Sequence, residues 1–272
     1  LNTTSTRRAN SIAFDIREAG RIKREGGKLD GKIIKDKKGN PLREPGMFKS
    51  VKGIGWFIKE YNIAQISYNL TNINVSPLHL VFDKTCEQAI KKGIRVTGSE
   101  LIGLVPKKVL IDAGEYFLKK QKRSLGVPES EIINIAVKSL GLDDLFDFNP
   151  KERIIEYLIE EPKEKLSYLS LTDFANETSS ESPAPGGGSI SAYCGTLAAS
   201  LTTMVANLSS HKRGWDDRWE FFSDWAKKSL DVQNELIDLV NKDTDAFNQI
   251  IESIRLPKDT KEEIKKRNEA IS

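Results

Sequence analysis

The sequence predicts an α+β segment, a mixed sheet with helices, followed by an all-α helical-bundle segment, with both segments incomplete. Three observations predict it. Apolar and polar residues alternate with a period of two between Phe48 and Leu70, the pattern of strands that bury one face. After Leu171 the spacing is helical and the period of two does not return. Between these regions, 156–165 is rich in Glu, Lys and Pro and poor in apolar residues, which makes it a candidate linker.

Composition narrows the classes. The 272 residues are 38% hydrophobic and 30% charged, as in one large or two medium soluble globular domains. With 42 Lys and Arg against 39 Asp and Glu, the surface singles out no polyanion. Arg7, Arg8, Arg17, Arg21, Lys23, Arg24, Lys28, Lys35, Lys37 and Lys38 cluster towards the start, but only Phe14 and Phe48 lie among them. Nucleic-acid binding needs interleaved stacking residues, so this reads as a solvated basic face. Cys86 and Cys194 lie in separate segments without a CxxC partner and read as free thiols of a reducing, cytoplasmic compartment. His79 and His211 have no second soft ligand nearby, so no metal is expected.

In chain order, Ala9, Ile12, Ala13, Ile16, Ala19 and Ile22 mark an amphipathic helix from Thr3 to about Glu25. Gly39-Asn40-Pro41 reads as a turn. Strands from Phe48 and from Ala64 meet through Lys59–Asn62, and the second sets Gln65, Ser67 and Asn69 on one face. That row reads first as ordinary solvent surface, with a binding face for a flat polar ligand as the alternative. Ser76 is placed as N-cap and Pro77 in the first turn of the next helix. A short strand at 94–97 and the turn Gly98-Ser99 then lead to a helix around Lys107–Lys120, a common place for ligand-contacting backbone. Helices near 129–140 and 150–160 complete this half. A Trp-rich helix is expected from Trp215 to Asp245, and a charged one from Asp259 to Ala270.

Pro183-Ala-Pro-Gly-Gly-Gly-Ser189 is the sharpest local signal. The prolines set an extended approach, the glycines open torsions closed to other residues, and Ser189 is placed as a helix cap. A flexible linker is the plain alternative, but the helical pattern resumes at once. The uncharged run to Ser210 has the length of a membrane span, against which its Ser, Thr and Asn residues argue. Small residues Gly188, Ala192, Gly195, Ala199 and Thr203 permit close helix packing instead. Asp243, spaced with Val240 and Phe247, falls on the apolar side of its helix, where desolvation favours the proton-holding form useful for proton transfer. A surface carboxylate paired with Lys242 is the plain alternative.

Taken together, Gly53-Ile-Gly-Trp56, Gln65-Ile-Ser67, Gly98 to Pro106 and Pro150 to Leu158 resemble the C-terminal subdomain of glutamate formiminotransferases. Ala184 to Ser189, Met204-Val-Ala-Asn207 and Asp243-Thr-Asp-Ala-Phe247 resemble the folate cyclodeaminase/cyclohydrolase domain. Their order matches the formiminotransferase-cyclodeaminase family. The resemblance assigns 1–160 to the first domain, 161–168 to a linker and 169–272 to the N-terminal part of the second. It implies transfer of a formimino group from N-formimino-L-glutamate to tetrahydrofolate, then cyclodeamination to 5,10-methenyl-tetrahydrofolate and ammonia, with tetrahydrofolate as co-substrate and no metal. It makes Asp243 the catalytic residue. Pro185, Gly186, Gly187, Gly188, Ser189, Asn207, Lys212, Asp245, Gln65, Gly98 and Ser99 become substrate-binding candidates. It further implies folate polyglutamate as a partner, a cytoplasmic homo-oligomer, and neither nucleic acid nor membrane. The family's catalytic histidine and its later cyclodeaminase helices have no counterpart here, so a fragment deficient in the first step is expected. A cyclohydrolase-type enzyme and a non-catalytic folate-binding or assembly module are the rivals.

Overall fold

The computed structural model describes residues 1–27, 30–159, 165–182, 184–257 and 260–271. It divides into two compact units, 1–118 with 129–160, and 119–128 with 161–272.

In the first unit, helix α1 (Thr6–Ile16) is capped by the Ser5 hydroxyl, which accepts from the Arg8 N–H. It stops well short of the expected end near Glu25, because strand β1 (Arg21–Ile22) leaves to pair antiparallel with β2 (Arg43–Glu44). Strands β3 (Val51–Ile58) and β4 (Ile63–Leu70) form an antiparallel hairpin in register from Val51↔Leu70 to Ile58↔Ile63. Among the described residues, the named strands pair antiparallel and the one parallel contact is the bridge Val105↔Ile154.

Helix α1 covers one face of this hairpin. Asn10 donates from its amide to the Gly55 carbonyl at 2.8 Å and accepts the Gly55 N–H at 3.0 Å. A Cβ on Gly55 would stand 2.7 Å from the Ala9 Cβ, so only glycine allows this approach. The opposite face carries Gln65, Ser67 and Asn69 beside exposed Ile54 and Trp56.

Helices α2 (Leu78–Lys91), α3 (Lys107–Lys120) and α4 (Glu129–Leu140) follow, with short α5 (Pro150–Arg153) and α6 (Ile155–Ile159). Pro77, not Ser76, caps α2. Ser76 is instead buried and donates to the Lys49 carbonyl at 2.5 Å. The expected strand at 94–97 does not form; among the described residues its one hydrogen-bonded tie to a distant segment is Arg95, whose carbonyl accepts the Asn2 N–H at 3.0 Å and whose N–H donates to the Asn2 side chain at 2.6 Å. Leu110, Ala113, Ile133, Ala136, Leu140 and Ile154 centre the largest core cluster.

The second unit is helical. Ser170 caps α7 (Leu171–Thr178). Helix α8 (Gly187–Ser210) then runs antiparallel to α9 (Trp219–Arg255), and α10 (Lys261–Ile271) ends the chain. Gly188 meets Asp243 and Gly195 meets Leu236, so the small-residue stripe is the seam between α8 and α9. The start expected at Trp215 shifts to Trp219, because Asp216–Arg218 forms a separate 3-10 turn. Half of the linker expected at 156–165, residues 160–164, lies outside the described residues, and 156–159 is helical.

Helix α8 is long and apolar enough to cross a membrane by length and composition. The hydroxyls that argue against this bond back to carbonyls one turn earlier, as Thr196 does to Ala192 and Ser200 to Thr196, so they carry little of the cost expected of them. The stronger objection is α9, whose length is studded with Asp, Glu and Lys. Away from that seam, Leu201 and Leu208 are 60% and 68% exposed, and Leu197, Met204 and Val205 extend the same open apolar surface.

Candidate functional site

The start of α8 brings two candidates, Gly188 and Ser189, onto one carboxylate, that of Asp243. The Ala184–Pro185 peptide is cis and Pro185 is buried, Gly186 is the N-cap residue, and Gly187 opens the helix. Pro183 lies outside the described residues. Ser189 is therefore inside the first turn and not the cap expected of it. Gly186 has no side chain to satisfy the unpaired N–H groups of that turn, and α9 supplies the acceptor. Asp243 Oδ2 accepts the Ser189 N–H at 2.7 Å and lies 2.8 Å from the Ser189 hydroxyl.

Ser189 is fully buried. Its Oγ also lies 3.0 Å from Thr244 Oγ1 and 3.1 Å from the Val240 carbonyl. Asp243 reaches across Gly188, where a Cβ would stand 2.3 Å from Oδ1. The glycine is needed for that approach, not for a left-handed torsion. Asp243 thus faces α8 as its spacing predicts, but the residue as a whole is exposed, so the partial desolvation expected of it is confined to the oxygen held by Ser189. The open surface beside Gly186–Gly188 is the reason. Asp245, one residue beyond Thr244, is exposed. Thr244 is the member of this cluster that spacing alone does not single out; its place between two aspartates in the quoted motif is the only signal for it.

The other candidates stand elsewhere. Asn207 lies on α8 about 27 Å from Ser189 at 1.5 Å per residue. Its amide donates to the Gly126 carbonyl at 2.6 Å, holding the 119–128 segment, and its Oδ1 is buried without a partner. Lys212 lies beyond that end of α8, exposed, with Nζ 4.2 Å from the centre of the Trp215 ring. In the first unit Gln65 donates to Glu100 at 3.3 Å. Ser99 gives its N–H to Gly141 and its hydroxyl to the Leu140 carbonyl, at 2.8 and 2.6 Å. Gly98 packs on Asp144, and the Lys107 N–H at the start of α3 is taken by Glu156 at 2.6 Å. Two of the backbone donors expected to meet a ligand there, those of Ser99 and Lys107, are occupied. Glu100 and Glu156, which periodicity does not mark, provide two of these contacts.

His79 is buried against Tyr116, with ring centres 4.7 Å apart, and its Nδ1 has no partner. Burial pushes its pKa down, against the opposing pull of Asp112 and Asp83. The Tyr116 hydroxyl donates to Asp83 at 2.5 Å, and this bond, followed by burial, pushes the phenol up to about 12. Cys86 is half-buried and Cys194 exposed, and neither is in a disulfide. Among the described residues, no three His, Cys, Asp or Glu side chains stand together as a metal site.

An α+β unit followed along the chain by a helical hairpin that presents a carboxylate at a glycine-rich helix start defines a two-part protein. The family model described as "Formiminotransferase domain" matches residues 1–160, and that described as "Formiminotransferase-cyclodeaminase" matches 170–272. The chain belongs to the formiminotransferase-cyclodeaminase family. The formimidoyltransferase-cyclodeaminase of Gallus gallus is 39% identical over 261 residues, covering 95% of this chain and 44% of the relative. That of Mus musculus is 37% identical over 266 residues, covering 97% and 46%. A methenyltetrahydrofolate cyclohydrolase of Methylorubrum extorquens is 30% identical over 94 residues, covering 35% and 45%. The chain spans less than half the length of the bifunctional relatives it matches.

Proposed function

We propose that this chain is part of a bifunctional folate enzyme. It transfers the formimino group of N-formimino-L-glutamate to N5 of tetrahydrofolate and then converts 5-formimino-tetrahydrofolate to 5,10-methenyl-tetrahydrofolate and ammonia. The observation that carries this reading is the occurrence of both family matches, in this order, along one chain. The first domain is 1–160, the linker 161–168 and the second domain 169–272.

In the second reaction N10 bonds to the formimino carbon and loses its proton, while the departing imino nitrogen gains two, that one and one from solvent, and leaves as ammonia, so that the methenyl product carries the positive charge. One carboxylate that accepts and returns a proton serves both ends of that exchange. Asp243 is that group, with Oδ1 lying over Gly188 beside the open loop. Pro185 to Gly188 and Asp245 line the folate side, with Ser189 behind them on Asp243. Gln65, Gly98 and Ser99 shape the first domain's binding face, while Asn207 and Lys212, at the far end of α8, stand outside the Asp243 site. Neither step calls for a metal. The protein works in the cytoplasm as a homo-oligomer, without nucleic acid or membrane, and the apolar surface of Leu197, Leu201, Met204, Val205 and Leu208 supports helix pairing between copies.

The test is ammonia release from 5-formimino-tetrahydrofolate by the complete protein. Ammonia formed in step with methenyl-tetrahydrofolate is expected. The similarity to the Methylorubrum extorquens protein favours one rival, a methenyl-tetrahydrofolate cyclohydrolase. Hydrolysis of methenyl-tetrahydrofolate without ammonia release from the formimino compound would establish that rival.

A further inference from the structure

We infer that Ser189, backed by Thr244, is a positioning residue for Asp243 and leaves Oδ1 as the oxygen that exchanges the proton; this rests on the acid–base reading of Asp243.

The argument is a count of donors. The Ser189 hydroxyl carries one proton and has three neighbours: Asp243 Oδ2 at 2.8 Å, Thr244 Oγ1 at 3.0 Å and the Val240 carbonyl at 3.1 Å. Hydrogen bonds to an ionised acceptor are the strongest of these, so the Ser189 proton goes to Oδ2. Thr244 then donates to Ser189 Oγ, and the relay runs Thr244 to Ser189 to Asp243. The Ser189 N–H donates to the same Oδ2 at 2.7 Å. Two donors on one carboxylate oxygen hold its negative charge there and fix the plane of the group. Oδ1 receives no hydrogen bond from the described residues and lies over Gly188, on the open side.

This reverses the role expected of Ser189. It is fully buried and its donors are committed to Asp243, so it offers folate neither its hydroxyl nor its N–H. Its effect on turnover passes through the carboxylate.

The experiment uses the complete protein and follows ammonia release for Ser189→Ala, Asp243→Asn and the double variant. Ser189→Ala is expected to lower kcat on the order of tenfold to a hundredfold, as misplacement of a catalytic group does, with KM within about twofold of the parent. In the Asp243→Asn background the serine substitution is expected to cost nothing further in kcat. A rise in KM at unchanged kcat, or a full additional loss in the double variant, would show that Ser189 acts on substrate directly and overturn the inference. A purely structural contact would lower Tm and leave the kcat of the folded protein unchanged, which also overturns it. Should Ser189→Ala fail to fold, Thr244→Val removes the distal donor, and Thr244→Ser is expected to restore the lost kcat; equal kcat in these two variants overturns the relay. Parental turnover in Asp243→Asn defeats the acid–base reading itself. Lost turnover there with parental kcat in Ser189→Ala and Thr244→Val defeats only the positioning role.

Discussion

The two units use their candidate residues in opposite ways. In the first, Ser99 spends both its N–H and its hydroxyl on the end of α4, Gln65 reaches Glu100, and the Lys107 N–H at the start of α3 is closed by Glu156. At the start of α8 the corresponding N–H is closed by Asp243, but that carboxylate keeps one oxygen on the open side. Both arrangements satisfy orphan helix donors. They differ in how the acceptor is held: Glu156 takes one N–H, whereas a single oxygen of Asp243 takes both the N–H and the hydroxyl of a fully buried serine and its other oxygen lies over Gly188, so hydrogen-bond accounting separates them where residue type does not.

The largest expected effect is on Asp243. Asp243→Asn in the complete protein keeps an oxygen for Ser189 and removes the exchangeable proton, so cyclodeamination is expected to fall by about 10²- to 10⁴-fold, the range of general acid–base catalysis. Ser99→Ala is expected to leave that step unchanged. Steady-state ammonia release checks both, and equal losses would erase the contrast between the units.

Next comes Gly188→Ala. A Cβ there would stand 2.3 Å from Asp243 Oδ1 and 2.7 Å from its Cγ, so the carboxylate must turn away. Turnover is expected to fall by about 10²-fold, from displacement of the reacting group. Gly187→Ala, where nothing lies within 4 Å of the added atom, is expected to retain most activity. The pair distinguishes a tight approach from a general need for glycine in the loop.

These residues also show what the sequence could express. The period-two pattern locates β3 and β4 to within a few residues, and the glycines and small residues of α8 announce a close partner. The partner itself was half legible: Val240 and Phe247 placed Asp243 towards the apolar side, but nothing in a linear spacing tells that Gly188 lies opposite it. Ser189 reads as a cap because capping is local, whereas here the acceptor arrives from α9, far away in sequence. Likewise 94–97 has strand-like residues, and pairing requires a neighbour that spacing does not supply. The Asn207 contact with Gly126 is lost for the same reason.

That contact sets the third expectation. Asn207→Ala would leave the Gly126 carbonyl without its amide donor, at a cost of about 1 to 3 kcal/mol in stability, read as a lower Tm. Turnover of the folded protein is expected to stay near parental, since the residue lies about 27 Å along α8 from Ser189. A catalytic defect without loss of stability would return Asn207 to the folate site.

The smallest effect concerns the exception in the first unit, His79, whose Nδ1 is buried and unpartnered while its neighbours' polar groups are committed. Burial lowers its folded pKa below the ordinary value of 6.5, so the unfolded chain binds the proton more readily. The neutral ring's contribution is therefore fully present above pH 6.5 and is lost as pH falls through the folded value. One proton limits the slope to about 1.4 kcal/mol per pH unit. Asp83 and Asp112 both pull the other way and keep the effect below that limit. His79→Gln keeps a polar, half-aliphatic side chain against Tyr116 without the titration. The difference in unfolding free energy between parent and variant, followed from pH 7.5 to 5, is expected to shrink on the acid side. A difference independent of pH would mean that the ring takes up its proton as readily in the folded as in the unfolded state, and that His79 is no exception to the first unit's accounting.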